Sequence, residues 1–233
     1  DAPGICYALA QGADFYVQEI GDPHYEKGMW HVGDLRGKHL VLTTGAYPKL
    51  LPSDSVKLRA IWGHRIDIRS TTELPCIFHH FVSISPTTRD GIIAIGATHD
   101  VHYDPFADEP YDVETGRSIL LEKASKTIKL ENVEVVRDYT GLRSGTFDYY
   151  PICGRLINEA ATLEQTRKSG KKPGIDSCVS YPNVWMLNGS GGYGFVLAPY
   201  LARKLAEAIT SEGSIEPELS PGRFFVRTLK RQS

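Results

Sequence analysis

Asn188-Gly-Ser-Gly-Gly-Tyr-Gly-Phe195, followed by Val196-Leu-Ala-Pro199 and an apolar-periodic run, is the stretch from which the fold is read. Four glycines fall within six residues, directly after the strand-like Asn183-Val-Trp-Met-Leu187. Glycine adopts positive φ and lets backbone approach a ligand closely. A helix that starts here aims its unsatisfied N–H groups and positive dipole end into the loop. A strand, a glycine loop and a helix N-terminus make a seat for an anion or an electron-rich ring. The same pattern also reads as a tight strand-to-helix turn that binds nothing. Past the loop, Ala198, Leu201, Ala202, Leu205, Ala206 and Ile209 share one helical face. Pro199 is tolerated in the first turn, and Gly213 is the expected stop.

Upstream, His39 to Tyr47 is an apolar run closing on Gly45, which fits a buried strand. Ile5–Leu9 reads as a helix end and Asp14–Ile20 as a short strand. Met29–Val32 and Lys38–Leu42 read as a hairpin or meander pair. Val56–Arg69, Cys76–Ser85 and Ile92–Thr98 are rich in β-branched and aromatic residues. They suggest an antiparallel sheet with one solvated or ligand-facing side. Asp104–Pro110 reads as a loop, Val113–Leu130 as a helix and Val133–Tyr139 as a strand. Thr162–Gly174, with Lys168, Lys171 and Lys172, reads as a solvated loop. The fold class is therefore α/β (α+β).

Bulk composition bounds the function. The chain has 233 residues, 41% of them apolar and 23% charged, with a net charge of −2. That balance gives a sizeable core in one or two domains and no global basic field, while leaving room for a local basic patch. Cys6, Cys76, Cys153 and Cys178 have no zinc or disulfide spacing, so reduced thiols in a cytoplasmic protein are expected. No apolar run is long enough to span a membrane. His79-His80 and the His99/His102 pair invite a metal reading. Neighbouring strand residues point to opposite faces, however, and no metal site is expected.

Three separated pieces carry a resemblance: Val41-Leu-Thr-Thr-Gly-Ala-Tyr47, Gly141-Leu-Arg-Ser-Gly-Thr-Phe-Asp-Tyr-Tyr-Pro-Ile-Cys-Gly154 and the glycine loop with its helix. In this order and spacing they resemble the C-terminal two-thirds of FAD-dependent amine oxidoreductases, the D-amino acid oxidase and glycine oxidase family. Asp90-Gly-Ile-Ile-Ala-Ile-Gly-Ala-Thr98 is similar to that family's substrate-domain strand. The tail Leu219-Ser-Pro-Gly-Arg-Phe-Phe-Val-Arg-Thr-Leu-Lys-Arg231 is similar to the oxidoreductase half of the MnmC family, which acts on the wobble uridine of tRNA. It also reads as a plain solvated basic tail.

The resemblance implies a discontinuous layout. Residues 1–55 and 140–210 would belong to an FAD-binding half, 56–139 to a mainly antiparallel substrate domain with one or two helices, and 211–233 to a basic tail. It implies FAD as cofactor and oxidative removal of a carboxymethyl group from 5-carboxymethylaminomethyl-uridine. A small-molecule amine or D-amino acid oxidase is the rival, because the loop is closer to the D-amino acid oxidase form. No G-x-G-x-x-G fingerprint stands near the start. The implied nucleotide-binding unit would then be removed, supplied by another chain or lost, and a noncatalytic fragment or partner subunit is the third reading.

Residue roles follow from the matched motifs. Arg143 is the expected clamp for a substrate carboxylate, since a guanidinium fork binds one bidentately; an ion pair with Asp148 is the structural alternative. Amides of Gly189, Ser190, Gly191, Gly192, Gly194 and Phe195 would face the flavin. Gly45 and Ala46 would let backbone pass beside the rest of FAD. His64 and Arg65 would contact ring or substrate, or form a surface pair. Tyr193, Tyr149 and Tyr150 would wall the pocket or pack in the core. Arg223, Arg227, Lys230 and Arg231 form the expected phosphate-contact cluster, with the lysines around 170 second.

Overall fold

A computed structural model describes residues 2–46, 50–104, 109–211 and 213–231. Tyr47 and most of the expected Asp104–Pro110 loop lie outside the described residues. The chain divides into two compact units, Asp1–His39 and Leu40–Ser233.

The first unit holds helix α1 (Ala2–Leu9) and an antiparallel meander of β1 (His24–Glu26), β2 (Met29–Val32) and β3 (Leu35–Gly37). Gly28 and Gly33, both at positive φ, allow the two tight turns. Trp30 is buried at the centre of β2. The expected strand at 14–20 does not form, and Phe15, Tyr16 and Val17 are exposed.

The second unit contains two sheets. In the first, β4 (Leu40–Leu42) runs parallel to β11 (Ser180–Asn188), which pairs antiparallel with β10 (Ile152–Ile157). This corrects the expected hairpin of Lys38–Leu42 with Met29–Val32. The meander satisfies β2 on both edges, so β4 finds its hydrogen bonds on a strand far along the chain. Helix α4 (Gly194–Ile209) packs Leu201 and Leu205 against Cys153 and Trp185 of that sheet. It ends at Thr210 and Ser211, the latter at φ 67, before the expected stop at Gly213.

The larger sheet has the order β6-β7-β8-β5-β9, all antiparallel. Its strands are β5 (Leu58–Arg69), β6 (Phe78–His79), β7 (Ser83–Ile84), β8 (Ile92–Gly96) and β9 (Glu134–Thr146). Ile66, Ile68, Ile84, Ile93 and Ile95 are fully buried against Leu120 and Ala124 of α2 (Val113–Ser125). Each such side chain contributes about 2 kcal/mol of transfer free energy. Asp112 caps α2 by accepting from Thr115 N. Strand β9 runs on through Gly141-Leu-Arg-Ser-Gly-Thr146, so the division expected at 139/140 falls within one strand.

Two segments expected to be irregular are helical. Residues Glu159–Ser169 form α3, with Asn158 accepting from Ala161 N at one end and Gly170 at φ 67 closing the other. Thr162 is its buried contact, so no apolar periodicity announces it. The tail forms α5 (Gly222–Arg231), with Phe224, Phe225 and Val226 buried. An amphipathic helix replaces the expected free basic run, because the aromatic pair has a core to enter.

All four cysteines are free. Burial pushes the Cys153 and Cys178 thiols up to about 11, which favours the protonated thiol at both. No helix among the described residues is long and apolar enough to cross a membrane.

Candidate active site

The site is built on the two longest strands. In the β5–β9 ladder, Ile61 faces Arg143, Gly63 faces Gly141 and Arg65 faces Tyr139. Strand residues alternate between faces. His64 and Ile66 therefore point toward α2, while Ile61, Gly63 and Arg65 point to the opposite face with Gly141, Arg143 and Gly145. The glycines remove side chains from that face and leave a low floor. Arg143 lies across it. A Cβ at Gly63 would collide with its Nη1 and Nη2.

Arg143 Nη1 donates to Thr98 O at 3.2 Å, which fixes the fork. The guanidinium is half-buried, and desolvation pushes its pKa below the ordinary arginine value. No carboxylate faces it among the described residues. Asp148, the alternative ion-pair partner, is taken by other groups: Arg223 Nε and Nη2 each donate to it at 3.0 Å, and Arg227 Nη1 at 3.1 Å. A cation withdrawn from water without an acid is primed to accept a carboxylate.

The same strand reaches the glycine loop two residues later. Gly145 forms an isolated antiparallel bridge with Ser190. Arg143 therefore starts about 7 Å of strand from the loop. Gly189 (φ 73) and Gly191 (φ 55) take left-handed conformations. A Cβ at Gly189 would lie 2.6 Å from Thr146 Cγ2, so only glycine fits there. Asn188 ties the seat together, donating from Nδ2 to Gly45 O at 2.9 Å and accepting from Gly189 N at 2.7 Å. Gly45 and Ala46 are thereby held beside the end of β11.

The mouth of α4 is open. The 3-10 turn Gly191–Tyr193 leads into the helix, and no side chain caps either. Gly192 faces open space, and Tyr193 and Phe195 are exposed. The Tyr193 N–H donates to Ser190 O at 3.0 Å, and no side chain takes the other amides of this mouth, which lies at the positive end of the α4 dipole. These are residues that fit the electron-rich edge of a flavin: bare amides, glycines whose side chains would block the approach, and a strand that brings a cation alongside.

Two expected roles are corrected. His64 is fully buried. Its Nε2 lies 2.9 Å from Asp138 Oδ1 and its Nδ1 3.4 Å from the Tyr111 hydroxyl. Asp138 also takes two hydrogen bonds from Arg117, which with His64 hold its carboxyl below the usual range against burial. His64 thus ties β5 to β9 and α2 and does not reach the ligand face. Arg223 is likewise no phosphate contact. It is 6% exposed and also donates to Leu219 O, Ser220 O and Tyr150 O. Arg227 is exposed but shares Asp148; Lys230 and Arg231 occupy the last turn of α5. Tyr149 and Tyr150 are exposed, so neither packs in the core.

One group among the described residues has metal-holding geometry, although no ligand spacing in the sequence marks it. His24, Glu26 and His31 place ligand atoms within 4.8 Å of one another, the imidazoles stacked at 4.7 Å. Only the register of β1 with β2 creates this neighbourhood.

Gly63 offers a direct check on the clamp. Gly63→Ala is expected to displace the flexible end of Arg143 while the strand tolerates the methyl. Urea unfolding should change by less than about 1 kcal/mol. The apparent affinity for a carboxylate ligand should fall about tenfold or more. Unchanged affinity would show that the guanidinium is not the anchor.

Among curated sequences, the chain is similar to the tRNA 5-methylaminomethyl-2-thiouridine biosynthesis bifunctional protein MnmC of Actinobacillus pleuropneumoniae, 24% identical over 92% of this chain and 35% of that protein. It is 27% identical to MnmC of Legionella pneumophila over 89% of this chain and 32% of that protein. The chain thus spans about a third of the length of these relatives. In shape it resembles glycine oxidase from Geobacillus kaustophilus, with a TM-score of 0.67, 17% identity and coverage of 91% of this chain and 54% of that one. Glycine oxidase from Bacillus cereus gives 0.64, 19%, 89% and 53%. The family described as FAD dependent oxidoreductase (DAO) matches residues 6–208. With that match covering most of its length, the chain belongs to the FAD-dependent oxidoreductases of the DAO family.

Proposed function

We propose that this chain is the carboxylate-binding and flavin-facing part of a cytoplasmic, FAD-dependent enzyme that removes the carboxymethyl group from 5-carboxymethylaminomethyl-uridine at the tRNA wobble position. The observation that carries the reading is Arg143: a half-buried guanidinium with no facing acid, on a glycine floor, in the strand that bridges to an uncapped helix mouth. The likeness to MnmC over nine-tenths of the chain favours tRNA as substrate over a free amino acid.

In this scheme residues 1–55 and 140–210 belong to the FAD-binding half and 56–139 to the substrate domain, with β9 carrying the substrate sheet on to Arg143. FAD, when bound, supplies the two-electron oxidant. Arg143 grips the acid end of the N-carboxymethyl arm and fixes its α-carbon. The amides of Gly191, Gly192 and Gly194 and the α4 dipole favour negative charge at the loop. Gly189, Ser190 and Phe195 shape that mouth, and Tyr193 stands at its rim. The amine loses a hydride from the α-carbon and a proton from nitrogen. Water then adds across the new C=N bond, releasing glyoxylate and leaving the aminomethyl group on the base.

The test supplies FAD-loaded protein with tRNA carrying the carboxymethylaminomethyl group, and separately with glycine, sarcosine and D-amino acids. Conversion of the modified nucleoside to its aminomethyl form, with glyoxylate released, is the expected result. Turnover of the small amines alone would replace the reading with a small-molecule oxidase. Absence of any turnover by a flavin-bearing protein would favour a noncatalytic subunit.

A further inference from the structure

The sheet face that carries Arg143 continues past it. Asp67 and Arg137 are opposed in the ladder next to Arg65 and Tyr139, and the alternation puts all four on the ligand face. Arg65 Cζ sits 4.7 Å from the centroid of the Tyr139 ring, and Arg137 Cζ 5.7 Å from it. Arg137 Nη1 donates to the Tyr139 hydroxyl at 2.8 Å. Asp67, largely buried, orients Arg65 by accepting from Nε at 3.2 Å and Nη2 at 2.6 Å. Gly96 leaves room for this, since a Cβ there would lie 2.9 Å from Arg65 Cβ. Arg65 and Tyr139 remain 48% and 41% exposed. Beside Arg65 a hollow of about 320 Å³ is floored by Ser83, Ser85, Ala94 and Gly96.

We propose that Arg65, Arg137 and Tyr139 form a nucleotide-binding subsite that holds a neighbour of the target nucleotide in single-stranded RNA. The proposal rests on the tRNA reading above and names the surface that would receive the anticodon loop. Three features support it. The pair is a guanidinium over a phenol ring, and both groups remain partly exposed. That is a sequence-tolerant platform for a base, and its cations suit the flanking phosphate. The charge is local: three arginines against one aspartate on a chain whose net charge is −2. The spacing also fits, because Tyr139 is four residues from Arg143, about 13 Å along the strand. A carboxylate gripped by Arg143 puts its own base part-way along that distance and the adjoining nucleotide beside Tyr139. The C-terminal cluster offers no such open platform among the described residues: its guanidinium–ring pair is Arg223 over Phe224, and both are buried.

The experiment measures binding of a fluorescent anticodon stem-loop to FAD-loaded protein by anisotropy at several salt concentrations. Tyr139→Ala should weaken binding about 10- to 100-fold, Tyr139→Trp should retain it, and Arg65→Gln with Arg137→Gln should lower the salt dependence. Thermal unfolding identifies any variant that fails to fold. If Tyr139→Ala does so, Tyr139→Trp and the arginine pair decide. Tight binding by the parent with no loss in the variants, or loss confined to Arg227→Ala and Lys230→Ala, would overturn the subsite while leaving tRNA as substrate. A parent protein that fails to bind the stem-loop would remove the tRNA reading, and the subsite with it.

Discussion

Arg143→Ala is expected to raise KM for an N-carboxymethyl substrate by about 10²- to 10³-fold, with FAD affinity unchanged. Truncating one partner of a desolvated, hydrogen-bonded charge pair costs about 2–5 kcal/mol. The half-buried setting of Arg143 and its fixed bond to Thr98 O put it in that class. Arg143→Lys keeps the charge and loses the fork, so it should recover only part of the affinity. Stability should move the other way. A cation held out of water without an acid partner adds nothing to the fold, so the melting temperature of Arg143→Ala should hold or rise. Steady-state kinetics with flavin titration checks the first part and calorimetry the second. Equal KM in mutant and parent would remove the clamp.

The second large effect concerns Arg223, which sequence reading placed on the surface. Arg223→Ala should destabilise the protein by about 3–5 kcal/mol, because it strips two donors from a mostly buried Asp148 carboxylate and leaves it only the exposed Arg227. That is a large share of the roughly 5–15 kcal/mol that holds a domain together. Arg223→Met with Asp148→Leu should recover much of the loss, since neither charge is then left unpaired. The pair also predicts a pH signature. Burial works against ionisation of Asp148, but the Arg223 hydrogen bonds and charge, with Thr146 and Arg227, hold its carboxyl down to about 2. An unfolded aspartate titrates at about 3.9. The folded value is depressed, so the contribution is complete above roughly pH 4 and is lost as pH falls toward 2. Urea midpoints measured across that window should fall more steeply for the parent than for Arg223→Met. Parallel slopes would contradict the assignment.

These two arginines show what local sequence can and cannot reach. The glycine loop, its strand and its helix were legible because they are local: positive φ, missing side chains and 3.6-residue periodicity all lie within some twenty neighbouring residues. The Gly-Leu-Arg motif marked Arg143 as a candidate cation, and the antiparallel sheet was legible as alternation. Helix α3 was missed because its one buried contact leaves no apolar stripe. The strand β4 was paired with the wrong neighbour, since parallel pairing with β11 joins segments about 140 residues apart. Nothing near His64 in the chain announces Asp138, and nothing near Arg223 announces Asp148.

The sequence alone determined the class of fold, the backbone seat at the head of α4 and the kinds of side chain available to hold an acid. Tertiary structure alone decided which charges are spent on one another and which remain for a ligand. The reason is that a residue's conformational preference is set by its own covalent geometry, whereas its electrostatic role is set by what long-range strand pairing and burial bring within a few ångströms. Arg143 and Arg223 are the same residue type. The glycine floor leaves one without an acid, and the return of the tail against Asp148 neutralises the other.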